Sequence, residues 1–431
     1  MNPQHIRSVH ARRVWDSRGR PTIEAEVMLE DGAMGRAIVP AGASKGTREA
    51  LELRDAGPRF GGLDVMQAVG HVNGEIASAL TGRPADDQAG LDQALVELDG
   101  TSAKTRLGAN ATLAVSMAAA HAVAASLRLP LYQYLGGADA CLLPMPQIQI
   151  FGGGAHAGRR VDIQDFMIVC PGAQRFAEAL EWTAEVYRCA GELMQARGPR
   201  CGVADEGGWW PDFKTNEQAL ETLVSAIERA GFVPGSEVAI ALDVAASEFG
   251  RGGRYTLGLE SRELDADGLS ELLLRWIDKY PIASIEDPLA EDDAAGFARF
   301  TRAVGHKLQI VGDDLLVSQA SLVREAAAIG AANAVLLKPN QRGTLTETLQ
   351  AWQAAKSLGY AGIVSARSGE TEDTTIVHLA IAWQTGQLKV GSFARGERMA
   401  KWNEGLRIEE RLGSRAGFAG AGIFGRSGSM V

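Results

Sequence analysis

Cysteine is scarce in this 431-residue chain, and the four present, Cys141, Cys170, Cys189 and Cys201, form neither a Cys-x-x-Cys pair nor a repeating spacing. That excludes a zinc ribbon and a disulfide framework and points to a reducing compartment, the cytoplasm. Long apolar runs are missing too. The most apolar stretch, Ala111 to Leu127, is mostly alanine, contains His121 and falls short of a membrane span, so it predicts a packed helix. Met1 to Arg13 has no apolar segment of the signal-peptide kind and alternates like a strand. Positive charge is in the minority, 43 Lys and Arg against 53 Asp and Glu, and the net charge of −10 argues against nucleic acid or an anionic membrane as partner. Any bound anion has to be held locally. No low-complexity linker or 20–50-residue repeat is visible. What is present, 46% hydrophobic and 22% charged residues, describes a folded chain able to bury a large core.

The first forty residues alternate with period two. Ile23, Ala25, Val27 and Leu29 share one face opposite Glu24 and Glu26, which predicts an antiparallel meander. Helical spacing follows at Leu91, Leu95 and Leu98 and through the alanine-rich stretch, so residues 1–137 are expected to form a compact α+β domain. From residue 138 to 431 short apolar runs alternate with amphipathic helices, the pattern of a parallel sheet or an α/β barrel. Thr215 and Gln218 have capping-box spacing ahead of a stripe of Leu220, Leu223, Val224 and Ile227, and Gly231 ends that helix. The tail carries Gly420-Ala421-Gly422-Ile423-Phe424-Gly425, but no helix and second strand can follow so close to the end, so it is not a dinucleotide site.

Most of the apolar runs end in a polar residue: 202–206, Val238 to Asp243, Ile282 to Glu286, Leu308 to Asp313, Ala334 to Lys338 and Gln387 to Lys389. A barrel opens its active-site face at those ends. A single Asp there reads as a strand-end cap or ion-pair partner. Asp243, Glu286 and Asp313 in register instead suit a hard cation, and magnesium fits oxygen ligands that leave places for water or substrate. Lys338 suits a general base, its pKa expected to be lowered by a cation and a second ammonium; Lys389 is weighed against a snorkelling surface lysine. Glu206, in Asp205-Glu206-Gly207-Gly208, suits a general acid. Arg367-Ser368-Gly369 suits a phosphate grip, and the loops 40–46 and 151–160, the latter with His156, suit closure over a ligand.

These residues resemble the enolase family over nearly the whole chain. The resemblance is carried by Asp16-Ser17-Arg18-Gly19, Gly42-Ala43-Ser44, Val161-Asp162-Ile163-Gln164, Asp205-Glu206-Gly207-Gly208 and Ala246-Ser247-Glu248-Phe249, then by Ser284-Ile285-Glu286-Asp287, Gly312-Asp313-Asp314-Leu315, Arg367 to Asp373 and Arg407-Ile408-Glu409-Glu410. It implies an N-terminal α+β cap on an eight-stranded α/β barrel with an irregular antiparallel start. The implied reaction is magnesium-dependent dehydration of 2-phosphoglycerate to phosphoenolpyruvate by a homodimer, with one or two Mg2+ per subunit. On that pattern Asp243, Glu286 and Asp313 would hold the first magnesium and Ser44 would help hold the second. Lys338 would take the proton alpha to the carboxylate, Lys389 would offset charge on that carboxylate, and Glu206 would protonate the departing hydroxyl. His156, Arg367 and Ser368 would contact substrate, and Gln164 would support the acid side.

The chain departs from the pattern at Ala366 (a histidine in the family), Asp165 (the glutamate that supports the acid), Gly152 (asparagine), Ala41 (serine) and Lys45 (threonine), and at Pro339 and Arg342. Loss of bulk at Ala366, with cations at Lys45 and Arg342, leads to the expectation of a modified, more anionic phosphorylated or phosphonate substrate, as in carboxyphosphonoenolpyruvate synthesis. The alternatives are an ordinary phosphopyruvate hydratase and a catalytically silent enolase-like binding protein.

Overall fold

The computed structural model describes residues 3–198 and 202–424; Cys201 and Gly425 lie outside them. Strands β1 (Ile6–Trp15), β2 (Pro21–Leu29) and β3 (Met34–Ile38) pair antiparallel in the order of the sequence. The alternation in β2 does what its pattern predicts: Ile23, Ala25, Val27 and Leu29 are fully buried. An interrupted helical stretch at 66–80 follows, and then helices α1 (Gln88–Asp99), α2 (Ala109–Ser126) and α3 (Leu131–Gly136). The alanine-rich stretch is α2, buried on nearly every side. Its small residues let it lie directly on the sheet. At Gly35 in β3 an added Cβ would stand 2.1 Å from the Ala118 carbonyl oxygen.

The rest closes into an eight-stranded barrel of β4 (Met145–Gly152), β5 (Asp165–Val169), β6 (Ala239–Asp243), β7 (Ile282–Glu286), β8 (Gln309–Gly312), β9 (Ala334–Leu337), β10 (Ala361–Ser365) and β11 (Gln387–Ser392). Among the described residues eight longer helices follow the cap: α4 (Phe176–Arg197), α5 (Asn216–Arg229), α6 (Ala266–Lys279), α7 (Ala294–Val304), α8 (Ala320–Ile329), α9 (Leu345–Ser357), α10 (Thr375–Ala382) and α11 (Gly396–Leu412). The predicted cap of α5 is present, with the Thr215 hydroxyl accepting from the Gln218 N–H at 3.2 Å. All strand pairs are parallel except those of β5, which runs antiparallel to β4 and β6. The reversal matters for the site. It brings the first residue of β5, Asp165, to the rim where the other strands end, beside Gly152 and Asp243.

Period-two alternation stacks the barrel interior in layers. At the bottom, Met145, Met167, Ala239, Ala241 and Ala283 form an apolar floor against which Phe418, Ile423 and Phe424 of the tail pack. Above it lies an amide layer: Gln147 donates to Gln387 at 2.8 Å, Gln387 to Gln309 at 2.8 Å, and Gln309 to the Ser284 hydroxyl at 3.0 Å. Two residues further along the same strands come Gln149, Glu286 and Lys389. Lys389 is therefore an inward residue within β11 and not a surface lysine; it is 6% exposed. The apolar run at 202–206, expected as a strand, is a loop held by isolated bridges of Trp209 to Phe151 and Val203, because its glycines turn the chain back within a few residues.

Candidate active site

Three neighbouring strands present their carboxylates at the rim in register, Asp165 beside Asp243 and Asp243 beside Glu286. All three are buried, as are Asp313, Lys338 and Lys389. Lys389 Nζ lies 2.7 Å from Asp243 Oδ2, 2.9 Å from Glu286 Oε2 and 3.3 Å from Asp165 Oδ2. Burial opposes its charge, but these three carboxylates outweigh burial and hold its pKa well above the ordinary lysine value. Burial and the adjacent Asp243 push the Glu286 carboxyl well up. The Lys338 ammonium hydrogen-bonds Asp313. Burial opposes its charge, but Asp313 outweighs burial and raises its pKa; the lowering expected from the sequence is for a lysine beside a bound cation.

Two other groupings place ligand atoms within 4.8 Å of one another: Asp287 with Asp313 and Asp314, and His156 with Asp165 and Glu206. In the first, Asp287 is committed to the backbone, accepting from the N–H groups of Asp313 at 2.9 Å and Asp314 at 2.8 Å. It shapes the turn that presents Asp313. In the second, His156 is the hub. Its Nδ1 is 3.5 Å from Asp165, its Nε2 3.8 Å from Glu206 and 3.1 Å from the Ser368 hydroxyl. Burial disfavours the imidazolium, but Glu206 and Asp165 reverse that and raise its pKa. Lys389 and His156 outweigh burial at Asp165 and hold its carboxyl well below the usual range.

The cap supplies one wall. Ala41 and Gly369 exchange backbone hydrogen bonds at 2.8 and 2.9 Å, so the loop carrying Ser44 is fastened to the loop carrying Arg367 and Ser368. Arg367 donates to the Ser44 carbonyl at 2.8 Å, to Glu49 at 3.0 Å and to Asn340 at 3.1 Å. An added Cβ on Gly42 would meet its guanidinium at 2.0 Å, so the loop needs glycine there to pass. Gln164 donates to Asp243 Oδ2 at 3.1 Å, and its Oε1 is buried without a hydrogen-bond partner. Ser44, His156, Gln164, Asp165, Glu206 and Asp243 line a single pocket, together with Lys338, Ala366, Arg367, Ser368 and Lys389. Of the predicted site residues, Glu286 and Asp313 stand behind that lining and contact it through Lys389 and Lys338.

The chain matches two family models, "Enolase, N-terminal domain" over residues 6–135 and "Enolase, C-terminal TIM barrel domain" over 140–426. It belongs to the enolase family. Enolase-type catalysis and metal binding follow as the general expectation for such a chain, and among the described residues no helix is long and apolar enough to cross a membrane.

Two residues expected to meet extra negative charge on a ligand, Lys45 and Arg342, are not in the pocket lining. Lys45 pairs with Glu52 at 2.6 Å, and Arg342 pairs with Glu347 at 3.1 Å. Each has a nearer carboxylate outside the site. Sequence reasoning also missed residues that support the pocket. Arg398, buried in α11, donates to the carbonyls of Arg367 at 2.7 Å, Val390 at 2.8 Å and Ser368 at 2.6 Å. Gln341 donates to Asp313 at 2.9 Å. Gln149 joins Asp165 to Gly208. The only sequence signal for Gln149 was amide residues at alternate positions, Gln147 and Gln149, in an otherwise apolar strand.

Proposed function

We propose that this enolase-family protein removes water across C2 and C3 of a 2-phosphoglycerate-like acid, and that its own substrate is a bulkier analogue of the kind used in carboxyphosphonoenolpyruvate synthesis. The observation that carries the elimination is the convergence of Lys338, Glu206, Lys389 and Arg367 on one pocket. The residues fit magnesium. Three buried carboxylates have two ammonium groups drawn against them, so the cluster is short of positive charge, and the donors are hard oxygens. Asp243, Glu286 and Asp313 would hold the first ion and Ser44 would help hold a second. Bound magnesium would polarise the substrate carboxylate and offset the charge that builds on it as the α-proton leaves.

The protein's own groups do the rest. Lys338, once neutral, accepts the proton from C2; the C2–H electron pair becomes the C2=C3 double bond. Glu206 gives its proton to the C3 hydroxyl, and the C3–O bond breaks with loss of water. Lys389, held charged by its carboxylates, faces the substrate carboxylate. Arg367 and Ser368 take the phosphate or phosphonate oxygens, and His156 links Ser368 to Glu206. The larger substrate is supported by Ala366, a small side chain in the pocket lining beside Arg367 where the family pattern has a histidine. Pairing of Lys45 and Arg342 outside the site favours a second reading, ordinary phosphopyruvate hydratase. Homodimer assembly, supported by family membership, belongs to the proposal and is checked by sedimentation.

Absorbance at 240 nm with 2-phosphoglycerate and magnesium separates the two. The larger-substrate reading expects weak turnover by the native protein and a gain in Ala366→His. Full activity in the native protein would leave the ordinary hydratase.

A further inference from the structure

Asp165 carries its carboxylate on a side chain one methylene shorter than a glutamate, yet it sits within reach of both Lys389 and His156. What holds it is Gln149, fully buried two residues above the amide layer. The Gln149 Nε2 donates to Asp165 Oδ1, and its Oε1 accepts from the Gly208 N–H at 2.9 Å. One amide therefore ties the β5 carboxylate to the loop that carries Glu206. The space for this amide exists only because two glycines flank it. A Cβ on Gly208 would lie 2.4 Å from Gln149 Oε1, and one on Gly152 would lie 3.1 Å from the same atom and 2.6 Å from Ala204 Cβ.

We infer that Gln149 is a positioning residue whose length is matched to Asp165: the long amide and the short acid, with Gly152 and Gly208 beside them, set the spacing between Asp165 and the Glu206 loop. The polar atoms are all buried, so water cannot stand in for a lost partner without rearrangement. Lengthening the acid alone drives its carboxylate into the amide; shortening the amide alone breaks one of its two bonds. Changing both restores the total reach.

The test is a double-mutant cycle of Gln149→Asn, Asp165→Glu and the pair, with two readouts. For its kinetic arm it rests on the elimination proposed above; its stability arm does not. Each single variant is expected to lose about 10-fold or more in kcat, the usual scale for a group that orients an active-site ligand, with KM little changed. The pair should return to within about threefold of the native protein. Thermal midpoints should show the same compensation. If the native protein turns over substrate and the losses multiply in the pair, the matched-length inference is wrong and the elimination stands. If the native protein processes no 2-phosphoglycerate-like acid, the proposed function fails and the midpoints alone decide: compensation supports the role of Gln149, additive losses overturn it.

Discussion

Replacing Arg398 by methionine tests how the phosphate grip is held. The arginine does not itself line the pocket, but its guanidinium donates to the backbone carbonyls of three residues that do, two of them in the Arg367–Ser368 loop. Its side chain is fully buried. Methionine keeps much of the apolar stem and removes every donor. A buried polar group left without a partner costs about 1–3 kcal/mol. The Ser368 carbonyl keeps a long hydrogen bond from the Ser17 hydroxyl at 3.5 Å, so the lower half of that range, about 1–2 kcal/mol, for the other two carbonyls gives roughly 2–4 kcal/mol. At roughly 2–4 °C per kcal/mol in domains of 150–250 residues, and less in larger ones, the thermal midpoint should fall by roughly 3–12 °C. Differential scanning calorimetry measures this directly. The loosened loop should also raise KM more than it lowers kcat, because Arg367 and Ser368 would bind the anion while Lys338 and Glu206 are held by other elements. An Arg398→Met protein with an unchanged midpoint and unchanged KM would refute the reasoning.

Acid stability gives a second prediction. His378 stacks on Tyr132 and lies 3.6 Å from Glu404, and burial, with His121 nearby, pushes its pKa down to about 3. An unfolded histidine titrates near 6.5, so the unfolded chain takes up the proton first. The contribution of His378 is complete above about pH 6.5 and is lost as pH falls toward 3, at no more than about 1.4 kcal/mol per pH unit. Asp92, raised to about 6 by burial, works the opposite way between about pH 4 and 6, so the informative quantity is the difference between the native protein and His378→Asn in urea titrations. That difference should shrink as pH falls below 6.5; a pH-independent difference would remove His378 as the cause. Asp313→Asn should weaken magnesium binding about 10-fold or more in calorimetric titration, since it removes one of three carboxylates. Unchanged affinity would move the metal away from these strand ends.

Much of this arrangement could be read from one dimension. An apolar run ending in a carboxylate is a local signal, and it located Asp243, Glu286 and Asp313; the period-two face of β2 and the cap at Thr215 were local as well. Other features depend on three-dimensional neighbours. The residues alone left Lys389 between a site lysine and a snorkelling surface lysine because only a short apolar run precedes it, whereas the layering of the barrel places it inward above Gln387. The loop at 202–206 has the composition of a strand but no partner strand. Gln149 acquires its role from the reversed direction of β5, which no local pattern announces. Lys45 and Arg342 could be assigned to the pocket only until Glu52 and Glu347 were seen beside them. Arg398 supports a loop some thirty residues away in sequence, and nothing in its helix distinguishes it from a surface arginine.

In the proposed elimination Lys338 removes the α-proton and Glu206 completes the loss of water. Exchange of the C2 proton of 2-phosphoglycerate, followed by NMR in deuterated buffer with magnesium, separates those steps, and a bulkier 2-phosphoglycerate analogue serves if the native protein prefers one. Exchange without dehydration is expected in Glu206→Gln, and neither exchange nor dehydration in Lys338→Ala; exchange that survives in Lys338→Ala would rule out Lys338 as the base.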